Sequence, residues 1–520
     1  TLGKGVIRRD PHARMAVLPT VAPVLMDEQT AALAAVREEM AAAKPGVVLL
    51  HGVTGSGKTE VYLAAIQSAL EAGQGAIALV PEISLTPQAM ERFRGRFGET
   101  VAVLHSHLSD GERHDEWKRI AEGRARVVVG ARSALFAPVR PLGLVVVDEE
   151  HEPAYKQDES PRYNARDVAV MRGRLEGCAV VLGSATPSLE SYHNVRLGKY
   201  RLVRMLDRVD RRLMPAVRVV DMRVETEKAG VPHLLSQDLI EAIRLRLDRA
   251  EQTLLFLNRR GYATTVMCPL CGHVETCPNC SVKMTYHKNA EQMLCHICGE
   301  VRAVPARCGN PACGAPNIKM SGVGTQRVEA AVRKVFPRAR IARMDSDTTG
   351  AKDAHAQILG KFRRGDLDIL IGTQMIAKGL DFPQVTLVGA VMADLTLNFP
   401  DYRSAERTFQ LLVQVAGRAG RGEQPGEVVI QTYQPEHYAI AGAAAQDYRA
   451  FFSKEFERRK ADLYPPFTMM ARFLCEAKEL PEALAVAEGI RQRILQEFSD
   501  SPLFRRILFI RADEAPMATL

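Results

Sequence analysis

Residues Gly52–Thr59 read G-V-T-G-S-G-K-T and follow directly on the apolar run G-V-V-L-L-H that begins at Gly46. A glycine-rich turn between a buried strand and a helix N-terminus wraps phosphates with backbone N–H groups. Such a turn demands an open, largely parallel sheet. The surrounding sequence supplies one: G-A-I-A-L-V-P, A-R-V-V-V-G, L-G-L-V-V-V-D-E-E and C-A-V-V-L-G-S-A-T-P read as further buried parallel strands. Amphipathic stretches such as T-E-V-Y-L-A-A-I-Q-S-A-L-E-A-G fill the gaps, so a doubly wound α/β lobe is expected. A second set predicts a second such lobe: Q-T-L-L-F-L-N-R-R-G, R-A-R-I-A-R-M-D, L-D-I-L-I-G-T-Q, V-T-L-V-G-A-V-M-A-D and G-E-V-V-I-Q-T-Y. At 520 residues the chain is too long for one core.

The remaining totals exclude little. An apolar content of 46% with 25% charged residues is ordinary for a globular chain. A net charge of +8 permits a polyanionic partner without demanding one. No run approaches the ~20 apolar residues of a membrane span. The opening T-L-G-K-G-V-I-R-R-D lacks the apolar run of a secretory signal and starts on threonine, which predicts a fragment or a processed chain. From Gln434 onward the sequence is helical at first, then carries Y-P-P-F and the strand-like M-M-A-R-F-L-C-E-A, and reads as part of a small α+β domain.

The phosphate loop assigns roles directly. Gly52, Gly55 and Gly57 shape the cradle, Lys58 neutralises the β- and γ-phosphates, and the Thr59 hydroxyl ligates Mg2+. The bland alternative, a glycine-rich turn with a surface lysine, requires the whole motif to fall in its proper context by chance. At the end of a buried strand stands D-E-E-H, and ligands gather at the carboxyl ends of such strands. Asp148 is placed to hold Mg2+ through water and Glu149 to orient or deprotonate the attacking water.

Eight of the ten cysteines lie between Met267 and Gly314. Three pairs are C-x2-C, Cys268/Cys271, Cys277/Cys280 and Cys295/Cys298, and the fourth is the wider Cys308-x4-Cys313. Each tight turn offers two thiolates to one ion, and four thiolates close a tetrahedral structural site, so two Zn2+ per chain are expected. Spacing alone permits sequential or nested grouping of the pairs. Cys178 and Cys475 sit singly in apolar surroundings and read as buried packing residues.

Further segments carry a resemblance. G-S-A-T-P-S-L-E (Gly183–Glu190), I-G-T-Q-M-I-A-K-G-L-D-F (Ile371–Phe382) and Q-V-A-G-R-A-G-R (Gln414–Arg421) occur in the order found in superfamily 2 helicases. L-M-D-E-Q-T-A-A-L resembles that superfamily's adenine-reading segment, with Gln29 on the base. The resemblance implies an arginine finger from the second lobe, Arg421 first and Arg418 as a second phosphate contact; a permanently charged planar fork suits that role.

A motor of this kind whose second lobe is interrupted by eight paired cysteines resembles the primosomal protein N′ (PriA) family. L-V-P-E-I-S-L-T-P-Q, G-A-R-S-A-L-F-A-P, D-E-E-H-E-P-A-Y-K-Q-D-E-S-P-R-Y-N-A-R-D-V-A, F-L-N-R-R-G-Y-A and G-V-G-T-Q-R-V-E resemble it too. The resemblance implies nested zinc sites: Cys268, Cys271, Cys308 and Cys313 on one ion, Cys277, Cys280, Cys295 and Cys298 on the other. The wide spacing makes Cys308 a departure from the pattern. It further implies that the loop after the acidic residues couples DNA to hydrolysis, with Tyr155 and Tyr163 stacking on bases and Lys156, Arg162 and Arg166 on phosphates.

The implied division is 1–20 the tail of a winged helix, 21–215 the first lobe, 216–266 and 315–433 the second lobe, 267–314 the zinc insertion, and 434–520 an incomplete C-terminal domain. The family's N-terminal DNA-binding region and C-terminal end are expected to be missing. The expected activity is an ATP- and Mg2+-dependent 3′-to-5′ DNA helicase that recognises stalled or branched forks and initiates primosome assembly. Expected partners are forked and single-stranded DNA, single-stranded DNA-binding protein and primosome proteins, without a membrane, in the bacterial cytoplasm at the nucleoid. The rival readings are a nucleotide-switched, non-motor assembly platform and an RNA helicase.

Overall fold

The computed structural model describes residues 19–499, apart from 82–86, 107, 210–213, 258–264, 288–290, 317–318, 322–323, 346–353, 374–375, 377–381 and 421–423. The expected winged-helix tail, Arg421, most of the Ile371–Phe382 motif and the last residues lie outside the described residues. The chain divides into two compact units between Met214 and Pro215.

Among the described residues the first unit holds seven strands: β1 Val47–Gly52, β2 Gly75–Leu79, β3 Val101–Leu104, β4 Val127–Gly130, β5 Leu142–Asp148, β6 Ala179–Ser184 and β7 Arg201–Met205. They form one wholly parallel sheet in the order β3-β4-β2-β5-β6-β1-β7. Valine, leucine and isoleucine from β1, β2, β4, β5 and β6 are fully buried, as strands covered on both faces must be. Helices Asp27–Ala41 and Lys58–Glu71 bury Ala32, Val36, Val61, Ala65 and Ile66 against the sheet.

The second unit begins with β8 Ala216–Asp221 and β9 Gln252–Phe256, then leaves the sheet for the cysteine-rich insertion. Among the described residues the insertion holds five short strands, β10 Thr265–Met267, β11 Thr285–His287, β12 Gln292–Leu294, β13 Val301–Ala303 and β14 Lys319–Ser321. Its stem is the antiparallel pair β10–β14, so it extends beyond the expected 267–314 at both ends. The chain then returns with β15 Ile341–Met344, β16 Ile369–Gly372, β17 Val385–Ala390 and β18 Glu427–Thr432. These complete a second parallel sheet, β15-β16-β9-β17-β18-β8. Its core takes in Met267 and Val274 from the root of the insertion.

The tail departs from expectation. Helices Tyr438–Ala445 and Tyr448–Ala461 pack on the helix Ser404–Ala416, through stacked Phe409 and Phe451 rings 4.2 Å apart. Met469–Ala477 forms no strand, because none of the described residues pairs with its backbone. Phe473 is 63% exposed there, and Cys475 is half-buried where a packed core residue was expected, whereas Cys178 is buried.

Candidate nucleotide and zinc sites

The loop Gly52–Gly57 leaves the carboxyl end of β1 and opens the helix Lys58–Glu71, with Gly57 in the left-handed region at φ 79°. A Cβ at Gly57 would stand 2.1 Å from Gln29 Nε2, so only glycine fits. Gln29 is buried in the first helix; its Oε1 accepts from the Met26 N–H (2.9 Å) and its Nε2 donates to the carbonyls of Ser56 and Gly57 (3.4 Å each). The residue expected to read the base thus also braces the phosphate loop. Lys58 Nζ donates to the Gly52 carbonyl at 2.7 Å, which holds the ammonium over the cradle. Arg208, missed in the sequence, lies against Gly55: a Cβ there would meet its Nε at 3.3 Å. Burial and the nearby Lys58 push His51, just before the loop, down to about 4.

Asp148 ends β5, separated from β1 in the sheet only by β6. Burial, with Glu149 alongside, raises its carboxyl to about 6, opposed by Lys58 and by a hydrogen bond from Tyr62. Tyr62 Oη donates to Asp148 Oδ1 at 3.0 Å. That reach depends on Gly183, where a Cβ would collide with Tyr62 Oη. Glu149 sits at φ 47°, a conformation that side chains adopt at a cost and that is concentrated at functional sites. His151 Nδ1 lies 2.7 Å from Ser184 Oγ and 3.6 Å from Glu149 Oε2, and Ser184 Oγ accepts from the Thr186 N–H. The acidic segment and the S-A-T segment are thereby one network.

Glu150 is its buried hub, although no sequence signal marked it. Its carboxylate accepts from Ser188 N–H (2.7 Å), Ser188 Oγ (3.0 Å), Ser191 Oγ (2.8 Å) and Arg166 Nη1 (3.2 Å). Two of the residues expected to meet DNA are held in this network. Arg166 is engaged by Glu150, Asp167 and Ser188. Tyr155 is 1% exposed, with its Oη on the Asp148 carbonyl at 2.6 Å, so its ring offers no face to a base. Lys156 and Arg162 remain exposed on a loop closed by the Lys156–Asn164 bridge. Tyr163 is half-buried and packs edge-on against Phe136 at 5.2 Å.

In the second unit the helix Ser404–Ala416 ends at Gly417, and Arg418 follows in a turn, half-buried. The eight cysteines fall into two clusters, Cys268/Cys271/Cys308/Cys313 and Cys277/Cys280/Cys295/Cys298, with the sulfurs of each within 4.8 Å of one another. The nested grouping is the observed one, and Cys308 belongs to it, 3.5 Å from the Cys271 sulfur. Separations of 3.5 Å for Cys277–Cys298 and 3.8 Å for Cys268–Cys313 are far too long for a disulfide. They match the edge of a tetrahedron, about 3.8 Å for zinc–sulfur bonds of about 2.3 Å. Burial, with crowding by neighbouring sulfurs, pushes the Cys295 and Cys308 thiols up to about 12, a penalty that a dication reverses. Each knuckle closes on a left-handed residue: Gly272, Ser281, Gly299 and Gly314. The donor sets fit two structural zinc ions with no open coordination position.

Family models match in three places: DEAD/DEAH box helicase over residues 27–195, PriA DNA helicase Cys-rich region domain over 277–302, and helicase conserved C-terminal domain over 323–423. The chain is 51% identical over 484 residues to the replication restart protein PriA of Bacillus subtilis, covering 93% of this chain and 60% of that protein. To the Chlamydia pneumoniae protein of the same name it is 46% identical, covering 86% and 60%. The chain thus spans about three-fifths of the length of these relatives. With the Rickettsia felis protein of that name it shares 41% identity over 90% of this chain and 71% of the relative. With 41% identity across 71% of the Rickettsia felis relative, and the PriA Cys-rich region matched over the inner cysteine cluster, the chain belongs to the replication restart protein PriA family.

Proposed function

We propose that this chain is an ATP-driven 3′-to-5′ DNA helicase that acts at stalled or branched replication forks and initiates primosome assembly. The observation that supports the reading is a phosphate loop with Asp148 held by Tyr62 in one unit and two four-cysteine clusters in the other, at 51% identity to a replication restart protein. Gly52, Gly55, Gly57 and Lys58 cradle the phosphates of ATP, and Gln29 reads the base while fixing the loop. Thr59 and Asp148 would hold Mg2+, which would supply charge neutralisation on the transferred phosphoryl group. Glu149 orients and deprotonates water. Arg421 is the finger and Arg418 its neighbour on the phosphates. Lys156, Arg162 and Tyr163 meet DNA, while Tyr155 and Arg166 carry the state of that loop to Asp148 and Glu150.

Single-stranded DNA-binding protein and primosome proteins are the proposed protein partners, and the bacterial cytoplasm, at the nucleoid, is the proposed location. None of the described helices is long and apolar enough to cross a membrane. The test is ATP hydrolysis with fork DNA, single-stranded DNA or RNA, on the wild type and on Lys58→Ala. Stimulation by DNA and its loss in Lys58→Ala is the expected result. Preferential stimulation by RNA would move the assignment to an RNA helicase, and binding without turnover to a nucleotide-switched platform.

A further inference from the structure

The Tyr464-Pro465-Pro466-Phe467 segment has no part in the phosphate or zinc chemistry, yet it is held at every residue that packs. Tyr464 is 7% exposed, and its Oη donates to the backbone carbonyl of the zinc-site residue Cys280 at 2.7 Å. Its ring stacks on Tyr402, centroids 4.9 Å apart and planes 8° from parallel. Both rings pack with Val266, Val282, Met284 and Met293 to floor the inner cysteine cluster. The Arg459 guanidinium lies 5.1 Å from the Tyr402 centroid, is 1% exposed, and donates to the Pro465 carbonyl at 3.2 Å. It is paired with Glu455 at 2.9 Å and with Glu406. Glu406 stands in the first turn of the helix Ser404–Ala416, which runs into Arg418. At the other end of the segment, Phe467 closes edge-on against Phe456 at 4.5 Å.

A charged, fully buried cluster of this kind is costly to assemble and strongly destabilised when one partner is removed, so it fixes a position more than it adds stability. We propose that Tyr464 is a positioning residue: a strut that holds the inner zinc knuckle at Cys280 against the helix leading to Arg418. The insertion and the arginine turn then move as one body within the second unit. The consequence for unwinding rests on the helicase reading; the strut itself rests on the contacts alone.

The test is hydrogen exchange, read segment by segment, on the full zinc-loaded chain and on Tyr464→Phe, which keeps both rings and removes only the donor. Loss of one buried hydrogen bond predicts exchange about fivefold faster in the two inner knuckles, at Cys277–Ser281 and Cys295–Gly299. The turn at Gly417–Arg418 should loosen with them, while the outer knuckles at Cys268–Gly272 and Cys308–Gly314 keep the wild-type rate. Tyr464→Ala, which also removes the stack, should speed zinc release to a chromogenic chelator from one of the two sites. Unchanged inner knuckles in Tyr464→Phe, or loosening spread evenly over both sites, overturns the strut. Inner knuckles that loosen without Gly417–Arg418 overturn the coupling. If the wild type fails to hydrolyse ATP, the helicase reading falls and the exchange result still decides the strut.

Discussion

Tyr62→Phe isolates one contact in the network proposed to hydrolyse ATP. The ring stays, so the packing of the helix Lys58–Glu71 on the sheet is kept, and only the donor to Asp148 Oδ1 is lost. Hydrogen bonds to charged groups contribute about 1.5–3 kcal/mol. At about 1.36 kcal/mol per unit, the Asp148 carboxyl should rise by about one to two units. Starting from about 6, it then titrates near 7 to 8. The sign follows from the direction of the shift. A carboxyl raised in the folded state keeps a proton that the unfolded chain has released, so its contribution to stability is fully present at low pH. That contribution is lost as pH rises from the ordinary carboxylate value through about 6, and in the variant the loss extends into the neutral range. Activity should run the other way, because the proposed role of Asp148 in holding Mg2+ requires the ionised carboxylate. The assay is kcat/KM for DNA-stimulated ATP hydrolysis at subsaturating MgATP, which reads the free site. For a shift of about 1.5 units the variant should lose about eightfold at pH 6.5 and less than about twofold at pH 9. Superimposed acid limbs would show that Asp148 ionisation does not govern the site.

Arg421→Ala should lower turnover by on the order of 10³ or more while leaving nucleotide affinity within a few-fold, as a finger acts on transition-state charge; an unchanged rate, with a loss in Arg418→Ala instead, moves the role to Arg418. Gly272→Ala should lower the thermal midpoint and the zinc content, because its Cβ would meet the Tyr433 carbonyl oxygen at 2.2 Å in a left-handed turn. Ser281→Gly, at φ 55°, should by contrast be neutral or stabilising, and a lowered midpoint there would show that strain is not what the turn carries.

The central strands of both sheets and both ligand turns were legible because each leaves a local signature: a continuous apolar run, a glycine spacing, a cysteine pair. What the sequence hid lay at edges and in long-range contacts. Strands β3, β7 and β8 all stand at sheet edges, and β7 and β8 mix arginine with valine, so no continuous apolar run marks them. Met469–Ala477 erred in the other direction, since strand propensity without a pairing neighbour makes no strand. Tyr155 and Arg166 read as DNA contacts because aromatic and basic residues in a polar loop look alike whether they face solvent or a buried carboxylate. Only the fold brings Glu150 beneath Arg166, and Tyr62 across to Asp148. Spacing likewise left the grouping of the cysteine pairs open, and the three-dimensional course of the chain closed it.

Nesting sets a problem of timing. As the chain is synthesised, the first four thiols of the insertion to emerge are those of Cys268, Cys271, Cys277 and Cys280, two from each native cluster. The first pair must stay uncommitted until Cys308 and Cys313 arrive, while the second needs only Cys295 and Cys298. The inner loop is about half the length of the outer, an advantage in closure of only about 0.6 kcal/mol. Closure entropy therefore gives the inner site little head start, and a metal caught early by those four sulfurs would have to exchange before both native sites could fill. The outer ion, beside the β10–β14 stem, is then the latch fastened last.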